Sequence, residues 1–206
     1  MDQDFKHIFI QGDLRLPVLL LLHGTGGDET DLVELGQSVA PGLPILSVRG
    51  KVLENGMPRF FRRLAEGVFD LEDLKVRTEE LADFVTKARM QYGFGDKPVI
   101  ALGYSNGANI AASLLLSRPE ILQGAVLLRA MMPFEPKELP DLRGKRILML
   151  SGLIDQIIPA ENSKRLAGML QESGANVDFV LKPTGHGLTQ FDFSAIKNWM
   201  SEEVMS

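Results

Sequence analysis

The sequence predicts an α/β domain with a mostly parallel central sheet of about seven strands and helices on both faces. Short apolar runs alternate with segments of helical periodicity along most of the 206 residues. The central apolar runs are nearly continuous, as is typical of strands that are buried on both faces of a parallel sheet. The length fits a single domain over residues 1–206 without a large cap domain, because single hydrophobic cores rarely grow beyond about 250 residues.

Seven apolar runs are predicted as the strands of this sheet. They are Phe5–Gln11, Val18–Leu22, Ile45–Val48, Val99–Leu102, Ala125–Leu128, Ile147–Leu150 and Val177–Leu181. The first two are joined by Gly12-Asp13, and we expect them to form an antiparallel hairpin at one edge of the sheet.

The helical periodicity is clearest between Leu74 and Tyr92, where apolar residues recur on one stripe. Further helices are expected at Thr30–Ala40, Asn106–Ser117, Asn162–Glu172 and Ser194–Val204. Residues 50–70, which include Met57, Phe60, Phe61 and Phe69, are interpreted as a long connection and as a candidate cover.

The most informative motif is G-Y-S-N-G at residues 103–107, which lies between a predicted strand and a predicted helix. A G-x-S-x-G sequence at such a junction is typical of a sharp turn that holds the serine hydroxyl at its tip. The glycines tolerate the required backbone angles and leave room for the crossing chain. Ser105 is therefore a candidate nucleophile. The alternative is a glycine-rich connection without chemistry.

Two candidate partners for Ser105 follow later strands. Asp155 comes after Ile147–Leu150, and His186 comes after Val177–Leu181. Because sites in such sheets form beyond the carboxyl ends of the strands, these side chains are expected to meet at one edge. The order serine, aspartate, histidine is that of an α/β-hydrolase triad, in which the histidine is the general base and the aspartate holds its second ring nitrogen. For Asp155 taken alone, a loop or helix-cap carboxylate is the simpler interpretation.

A glycine-rich loop, H-G-T-G-G-D-E at residues 23–29, follows the predicted strand Val18–Leu22. An acyl-transfer site needs backbone N–H groups aimed at the oxygen that becomes charged. The N–H groups of Thr25 and of Asn106, the residue after the serine, are the candidate donors of this oxyanion hole. A dinucleotide-binding G-x-G-x-x-G motif fails because Glu29 stands where the third glycine belongs, and no G-x-x-x-x-G-K-[ST] segment occurs.

Composition argues against several other classes of function. The net charge of −5 disfavours nucleic-acid binding, and the local cluster of Arg59, Arg62 and Arg63 is interpreted as mainly a solvated turn. The absence of cysteine removes disulfides and thiolate metal sites and fits a reducing cytoplasm. The acidic residues 1–4 lack the positive charge of a signal peptide. The apolar run Leu16–Leu22 is too short for a bilayer, which takes about 20 residues, so a cytoplasmic protein without membrane insertion is expected.

Taken together, these motifs resemble the small phospholipase/carboxylesterase family of α/β-hydrolases. The segments that carry the likeness are Leu22–Glu29, Arg49–Phe61, Gly103–Gly107, Gly152–Asp155 and Gly185–His186. The likeness looks closest to a bacterial branch often described as carboxylesterase or hydroquinone-linked hydrolase. It implies a hydrolase fold without a large cap, the triad and oxyanion donors above, and frequently a homodimer. Thioesterase members usually carry glutamine after the serine, whereas this chain has Asn106, which weakens a protein-deacylating interpretation.

These features predict a serine carboxylesterase that hydrolyses short to medium, water-soluble carboxylic esters through an acyl-enzyme on Ser105. The expected partner is a small-molecule ester, and no metal or organic cofactor is needed. An acyl thioesterase or lysophospholipase with the same triad is the first alternative. The second is a non-catalytic α/β-hydrolase that binds a ligand, because a fold does not guarantee turnover.

Five apolar residues are candidates for the substrate pocket, because methionine and aromatic side chains suit a permissive apolar wall. They are Met57, Phe60, Phe61, Met131 and Met132. Ordinary core packing explains each of them equally well. Arg49 and Arg59 are candidates for contact with an anionic substrate group or, more simply, for structural ion pairs.

Overall fold

The computed structural model describes residues 5–205, so the acidic residues 1–4 lie outside the described part of the chain. In chain order the strands are β1 His7–Ile10, β2 Val18–Leu22, β3 Ile45–Val48, β4 Val52–Glu54, β5 Met57–Arg59, β6 Arg63–Ala65, β7 Val68–Phe69, β8 Val99–Tyr104, β9 Gly124–Leu128, β10 Arg146–Gly152 and β11 Asn176–Lys182. The helices are α1 Val33–Val39, α2 Leu71–Gln91, α3 Asn106–Ser117, α4 Ala160–Glu172 and α5 Gln190–Met205.

Seven of the strands form the central sheet, in the order β1-β3-β2-β8-β9-β10-β11. All neighbours are parallel except β1, which runs antiparallel to β3. Every residue of β2, β3 and β9 is buried, as expected for strands covered on both faces. The predicted α/β class with a mostly parallel seven-stranded sheet is confirmed.

The sheet separates two apolar cores because successive side chains of a strand point to opposite faces. In β2, Leu20 and Leu22 face the core covered by α2, α3 and α4, whereas Leu19 and Leu21 face the core covered by α1 and α5. No helix within residues 5–205 is long and apolar enough to cross a membrane.

The predicted hairpin between the first two strands is wrong. β1 pairs with β3, with Ile10 opposite Ile45, and β2 lies on the other side of β3. Gly12 packs so closely on the backbone of residues 42–44 that a side chain there would overlap Pro44, and the Asp13 N–H donates to the Gly42 carbonyl over 2.9 Å. These contacts hold the end of β1 against the start of β3.

Residues 50–70 are also more ordered than the predicted long connection, because they form two small hairpins, β4–β5 and β6–β7. Asn55 and Gly56 join β4 to β5 with φ values of 52° and 81°. Tight hairpin turns require positive φ, which is why Asn-Gly is the strongest short hairpin signal. No large cap domain is present within residues 5–205. Loops and these two hairpins therefore border the carboxyl ends of the parallel strands.

Candidate active site

Ser105 lies between β8 and α3 in a backbone conformation that residues with side chains rarely adopt, with φ 53° and ψ −113°. Its N–H donates to the Leu128 carbonyl of β9 over 2.8 Å. A Cβ on Gly103 would overlap Ala108, and one on Gly107 would overlap the carbonyl of Leu22. The glycines are thus required by the close approach of neighbouring backbone, and the serine is held at the tip of the turn.

A continuous chain of hydrogen bonds joins Ser105, His186 and Asp155. His186 Nδ1 lies 2.8 Å from Asp155 Oδ2, and His186 Nε2 lies 3.0 Å from Ser105 Oγ. Because the carboxylate oxygen accepts, Nδ1 carries the ring proton and Nε2 is free to accept from the serine hydroxyl. The three residues follow β8, β10 and β11, so parallel strands bring them to one edge of the sheet.

The side chain of Asp155 is buried and is held by hydrogen bonds. Its Oδ1 accepts from the N–H groups of Ile157 and Ile158 over 2.8 and 3.1 Å, and its side chain is only 1% exposed, against 19% for that of His186. The buried carboxylate faces the imidazole on one side and backbone donors on the other. This arrangement can orient the ring and stabilise a positive charge on it.

The loop after β2 brings Thr25 to the same cavity that Asn106 lines. Asn106 is the first residue of α3, where helical N–H groups have no intrahelical partner. Among the hydrogen bonds of residues 5–205, neither N–H donates to another protein group. Both N–H groups therefore remain candidate donors for an oxyanion beside Ser105.

The buried side chain of His23, for which the sequence predicts no role, holds this loop through hydrogen bonds to two backbone groups. Its ring is 1% exposed, Nε2 accepts from the Gly50 N–H over 3.0 Å, and Nδ1 lies 2.5 Å from the Gly24 carbonyl. Because Nε2 is an acceptor, Nδ1 carries the ring proton and donates a hydrogen bond to the Gly24 carbonyl. Burial lowers the pKa of His23, while the bond to Gly24 opposes that effect. The neutral ring thus links the Thr25 loop to the segment after β3.

Arg59 supports the loop from the cavity side. Its Nη1 donates to Thr25 Oγ1 over 2.5 Å, and its Nε lies 3.2 Å from a carboxylate oxygen of Glu54. Burial and the neighbouring Arg63 lower the pKa of Arg59, and Glu54 opposes them. Arg59 is therefore both a member of an ion pair and a part of the cavity wall.

The cavity beside Ser105 has a volume of about 330 Å³, within the range of small-molecule sites. On the β9 and β10 side its wall is apolar, with Met131, Ile157 and Ile158. On the β2 side the wall comes from the hairpin segment and includes Arg59, Arg63, Glu66 and Phe69. The site thus has one apolar flank and one charged flank on either side of the serine.

The structure places only one of the five predicted pocket residues in this wall, namely Met131. Phe60 and Phe61 are fully buried and pack in the core under α2 and α3, so their predicted role in the wall is corrected. Met57 is 41% exposed but lies over Gly26, and Met132 faces a separate groove near Arg165. Ile157 and Ile158 also line the cavity. The sequence does not indicate this, because they lie in an irregular loop after Asp155.

The other arginines considered from the sequence form ion pairs. Arg49 pairs with Asp28 over 2.9 Å and also with Glu29, so it braces the Thr25 loop and does not line the cavity. Arg62 pairs with Asp70 over 2.9 Å at the start of α2. Arg63 forms a bidentate pair with Glu54 and is part of the wall, in contrast to the solvated turn that was expected.

Comparison with known proteins identifies relatives that match almost the whole chain. A hydrolase of Bacillus subtilis (strain 168) designated MhqD is 48% identical over 97% of this chain and 100% of its own length. The crystal structure of a Bacillus cereus carboxylesterase has a TM-score of 0.94 and 48% identity, over 96% of this chain and 94% of that one. A carboxylesterase from Mesorhizobium loti has a TM-score of 0.88 and 30% identity, over 98% and 96% of the two chains.

These similarities cover 96–98% of this chain, so they concern the whole fold rather than one motif. A sequence model described as phospholipase/carboxylesterase matches residues 6–203. The chain has the α/β-hydrolase fold and belongs to the phospholipase/carboxylesterase family of carboxylic ester hydrolases.

Proposed function

We propose that this protein is a serine carboxylesterase that hydrolyses short to medium, water-soluble carboxylic esters through an acyl-enzyme on Ser105. The observation that carries the proposal is the pair of hydrogen bonds, 3.0 and 2.8 Å long, that link Ser105 Oγ to His186 and His186 to Asp155. A serine hydroxyl is a weak nucleophile until an adjacent base takes its proton. Here that base is already in contact with it.

Acylation begins when Ser105 Oγ attacks the ester carbonyl carbon and His186 Nε2 takes the hydroxyl proton. The carbonyl oxygen becomes an anion and accepts hydrogen bonds from the N–H groups of Thr25 and Asn106. Removing one such donor in related chemistry costs roughly 10²- to 10³-fold in rate. Asp155 stabilises the imidazolium, which then protonates the leaving alcohol.

Deacylation reverses these roles with water as the nucleophile. His186 takes a proton from the water, the oxyanion forms again beside the same N–H groups, and the bond between the acyl carbon and Ser105 Oγ breaks. His186 returns the proton to Ser105, and the carboxylic acid leaves. Each step uses groups that lie around the cavity, and none needs a metal or an organic cofactor.

The proposed substrate class rests on the size and the walls of the cavity. A volume of about 330 Å³ suits small and medium ligands rather than a long acyl chain. Met131, Ile157 and Ile158 offer an apolar surface to one half of the ester, while the charged flank with Arg59 suits a polar half. The carboxylesterase designation of the Bacillus cereus relative supports the same choice.

The nucleophile is tested with a fluorophosphonate probe, which forms a covalent bond with activated serines. We expect stoichiometric labelling of the wild-type protein and none of Ser105→Ala, together with a loss of p-nitrophenyl acetate hydrolysis of up to about 10⁶-fold. Ser113→Ala is the matched control, because Ser113 lies on α3, the helix that begins directly after Ser105, but is buried and hydrogen-bonded to Thr78. It is expected to label like the wild-type protein.

A series of p-nitrophenyl esters and acyl-CoA thioesters then separates the candidate substrates. The proposal predicts that kcat/KM peaks at short to medium acyl chains and is higher for esters than for thioesters of the same chain. A peak at long chains or a preference for thioesters favours a lysophospholipase or thioesterase instead. If the wild-type protein resists the probe as fully as Ser105→Ala does, a ligand-binding role replaces the enzymatic one.

The proposal includes a cytoplasmic location, a single domain over residues 1–206 and assembly as a homodimer. The cysteine-free sequence supports the first, since a reducing compartment offers no use for disulfides. The length supports the second. Sedimentation at several protein concentrations measures the assembly state.

A further inference from the structure

Arg129 is a buried arginine that the proposed chemistry does not use. It follows β9 directly, its exposed fraction is 1%, and its φ of 54° lies in the left-handed region that side chains avoid. Its N–H donates to the Leu150 carbonyl of β10 over 2.9 Å. This conformation turns the side chain back beneath the edge of the sheet at which His186 lies.

The guanidinium of Arg129 holds the backbone on both sides of His186. Nε donates to the Gly185 carbonyl over 3.1 Å, and Nη2 donates to the Gly187 carbonyl over 3.0 Å. The intervening carbonyl, that of His186 itself, accepts from the Tyr104 hydroxyl over 3.2 Å. The peptide groups around His186 are therefore fixed by Arg129, which follows β9, and by Tyr104 of β8, although glycine on each side leaves the segment intrinsically flexible.

Asp192 completes the arrangement from α5. Its carboxylate accepts from Arg129 Nη1 and Nη2 over 3.0 and 2.7 Å, and it also accepts from the N–H and hydroxyl of Thr189. Burial alone would raise the pKa of Asp192, but these hydrogen bonds hold it below its ordinary value. The Asp192 carboxylate is thus held in its charged form, and its contacts with Arg129 connect the His186 loop to the start of the last helix.

We propose that Arg129 and Asp192 are positioning residues that hold His186 at hydrogen-bonding distance from Ser105 and Asp155. The inference rests on the proposed function, since it assigns these residues an effect on turnover through His186. Neither residue lines the cavity, so substrate binding does not depend on them directly. We call Arg129 and Asp192 together the clamp. Loss of the clamp lets residues 185–187 move, and displacement of a reacting group by about 1 Å can reduce a rate roughly 10²-fold.

The variants Arg129→Lys and Asp192→Asn test this role. Lysine keeps the charge but cannot reach both flanking carbonyls and the carboxylate at once, and asparagine keeps the shape but loses the charge. We expect kcat for p-nitrophenyl acetate to fall by roughly 10- to 100-fold in both variants, with KM changed by less than about twofold. If Arg129→Lys fails to fold, Asp192→Asn decides the matter.

Arg89→Lys is the matched control. Arg89 also clamps loop carbonyls, those of Gly95 and Lys97 over 2.7 and 2.8 Å, but it does so at the start of β8, the opposite edge of the sheet from Ser105. Its replacement is expected to lower stability and leave kcat within about twofold of wild type. An equal fall of kcat in this control means that general destabilisation explains the effect, which overturns the proposal.

A second readout observes His186 without any turnover. The chain contains three histidines, so the ring signals in spectra of protein labelled with ¹⁵N-histidine are assigned by single substitutions. In Arg129→Lys and Asp192→Asn we expect the His186 signals to move or broaden, while those of His7 and His23 stay in place and report an intact fold.

Unchanged His186 signals together with unchanged kcat overturn the positioning role. A wild-type protein that neither labels nor hydrolyses esters overturns the proposed function instead, and the spectra still decide whether the clamp holds His186. The two failures are therefore distinguishable.

Discussion

Ser105 illustrates how much a single position depends on the backbone around it. Its positive φ is stabilised because its N–H and carbonyl are both engaged, the first by Leu128 and the second by the Asn109 N–H over 2.9 Å. Such conformations persist only where the surrounding structure over-determines them. Here the surrounding strands and helix can approach so closely only because the residues two positions before and after Ser105, Gly103 and Gly107, are glycines.

The first residue-scale prediction concerns Gly107→Ala. A Cβ at this position would overlap the carbonyl oxygens of Leu22 and His23, which belong to rigid backbone and cannot move aside. We expect the free energy of unfolding to fall by about 1–3 kcal/mol or more. The same displacement also shifts the loop that carries Thr25, so ester hydrolysis falls as well. Urea unfolding followed by the fluorescence of Trp199 measures the stability change.

Gly168→Ala is the control for that prediction. Gly168 lies inside α4, and a Cβ there meets nothing within 4 Å. Alanine is favoured over glycine in a helix, so this variant is expected to gain about 0.5–1 kcal/mol. If both variants lose similar stability, close packing at Gly107 is not the reason for its glycine.

The residues of the site differed in how far the sequence could predict them. Ser105, Asp155 and His186 each follow an apolar strand in a recognisable order, and parallel strands bring such positions to one edge. Arg129 also follows an apolar strand, but nothing local signals that its side chain turns back to meet Asp192. That pairing depends on a positive φ and on the placement of α5, which are properties of the folded chain.

At the scale of elements, buried strands and helices were predictable where a local pattern decides them. β2, β3 and α3 have the predicted bounds, because a mostly apolar run marks each strand and the turn motif at Ser105 marks the start of the helix. The partner of β1 was not predictable, because it depends on the packing of Gly12 against residues 42–44. The β4–β5 hairpin had a local signal in Asn55-Gly56 that outweighs the weak strand pattern around it.

The free energy of unfolding is expected to depend on pH through His23, which lies at the start of the loop after β2. Because its pKa is lowered in the folded protein, the unfolded chain binds a proton that the folded chain does not, once the pH falls below the ordinary value of about 6.5. The stability contributed by neutral His23 is thus present above that value and is lost as the pH falls toward the folded pKa. The slope approaches at most about 1.4 kcal/mol per pH unit.

Urea unfolding between about pH 7.5 and about pH 5 measures this slope in wild type and His23→Asn. We expect the stability advantage of the wild type to shrink as the pH falls, because the variant lacks the titrating ring. His7→Asn is the control for the loss of a histidine, since it keeps His23 and the pH dependence that His23 contributes. A difference between wild type and His23→Asn that is constant with pH contradicts the assignment of a neutral His23.

At the scale of the whole molecule, one sheet is shared by two apolar cores. Leu102 of β8 faces the core that contains Trp199, while Ala101 beside it faces the core that contains Leu81. Neither core can lose its packing without exposing a face of the same strands. The site lies at the carboxyl edge of these strands, so its geometry is a property of both cores together.

Coupling between the cores predicts the behaviour of Leu81→Ala. Leu81 is fully buried in α2, so its truncation is expected to cost about 2–5 kcal/mol. The single tryptophan, Trp199, lies in the other core. If the sheet makes the two cores one cooperative unit, urea transitions followed by Trp199 fluorescence and by far-ultraviolet circular dichroism move together to lower urea. Leu53→Ala, at a position 69% exposed, should leave both in place. Separate transitions in Leu81→Ala would mean that the two cores unfold independently.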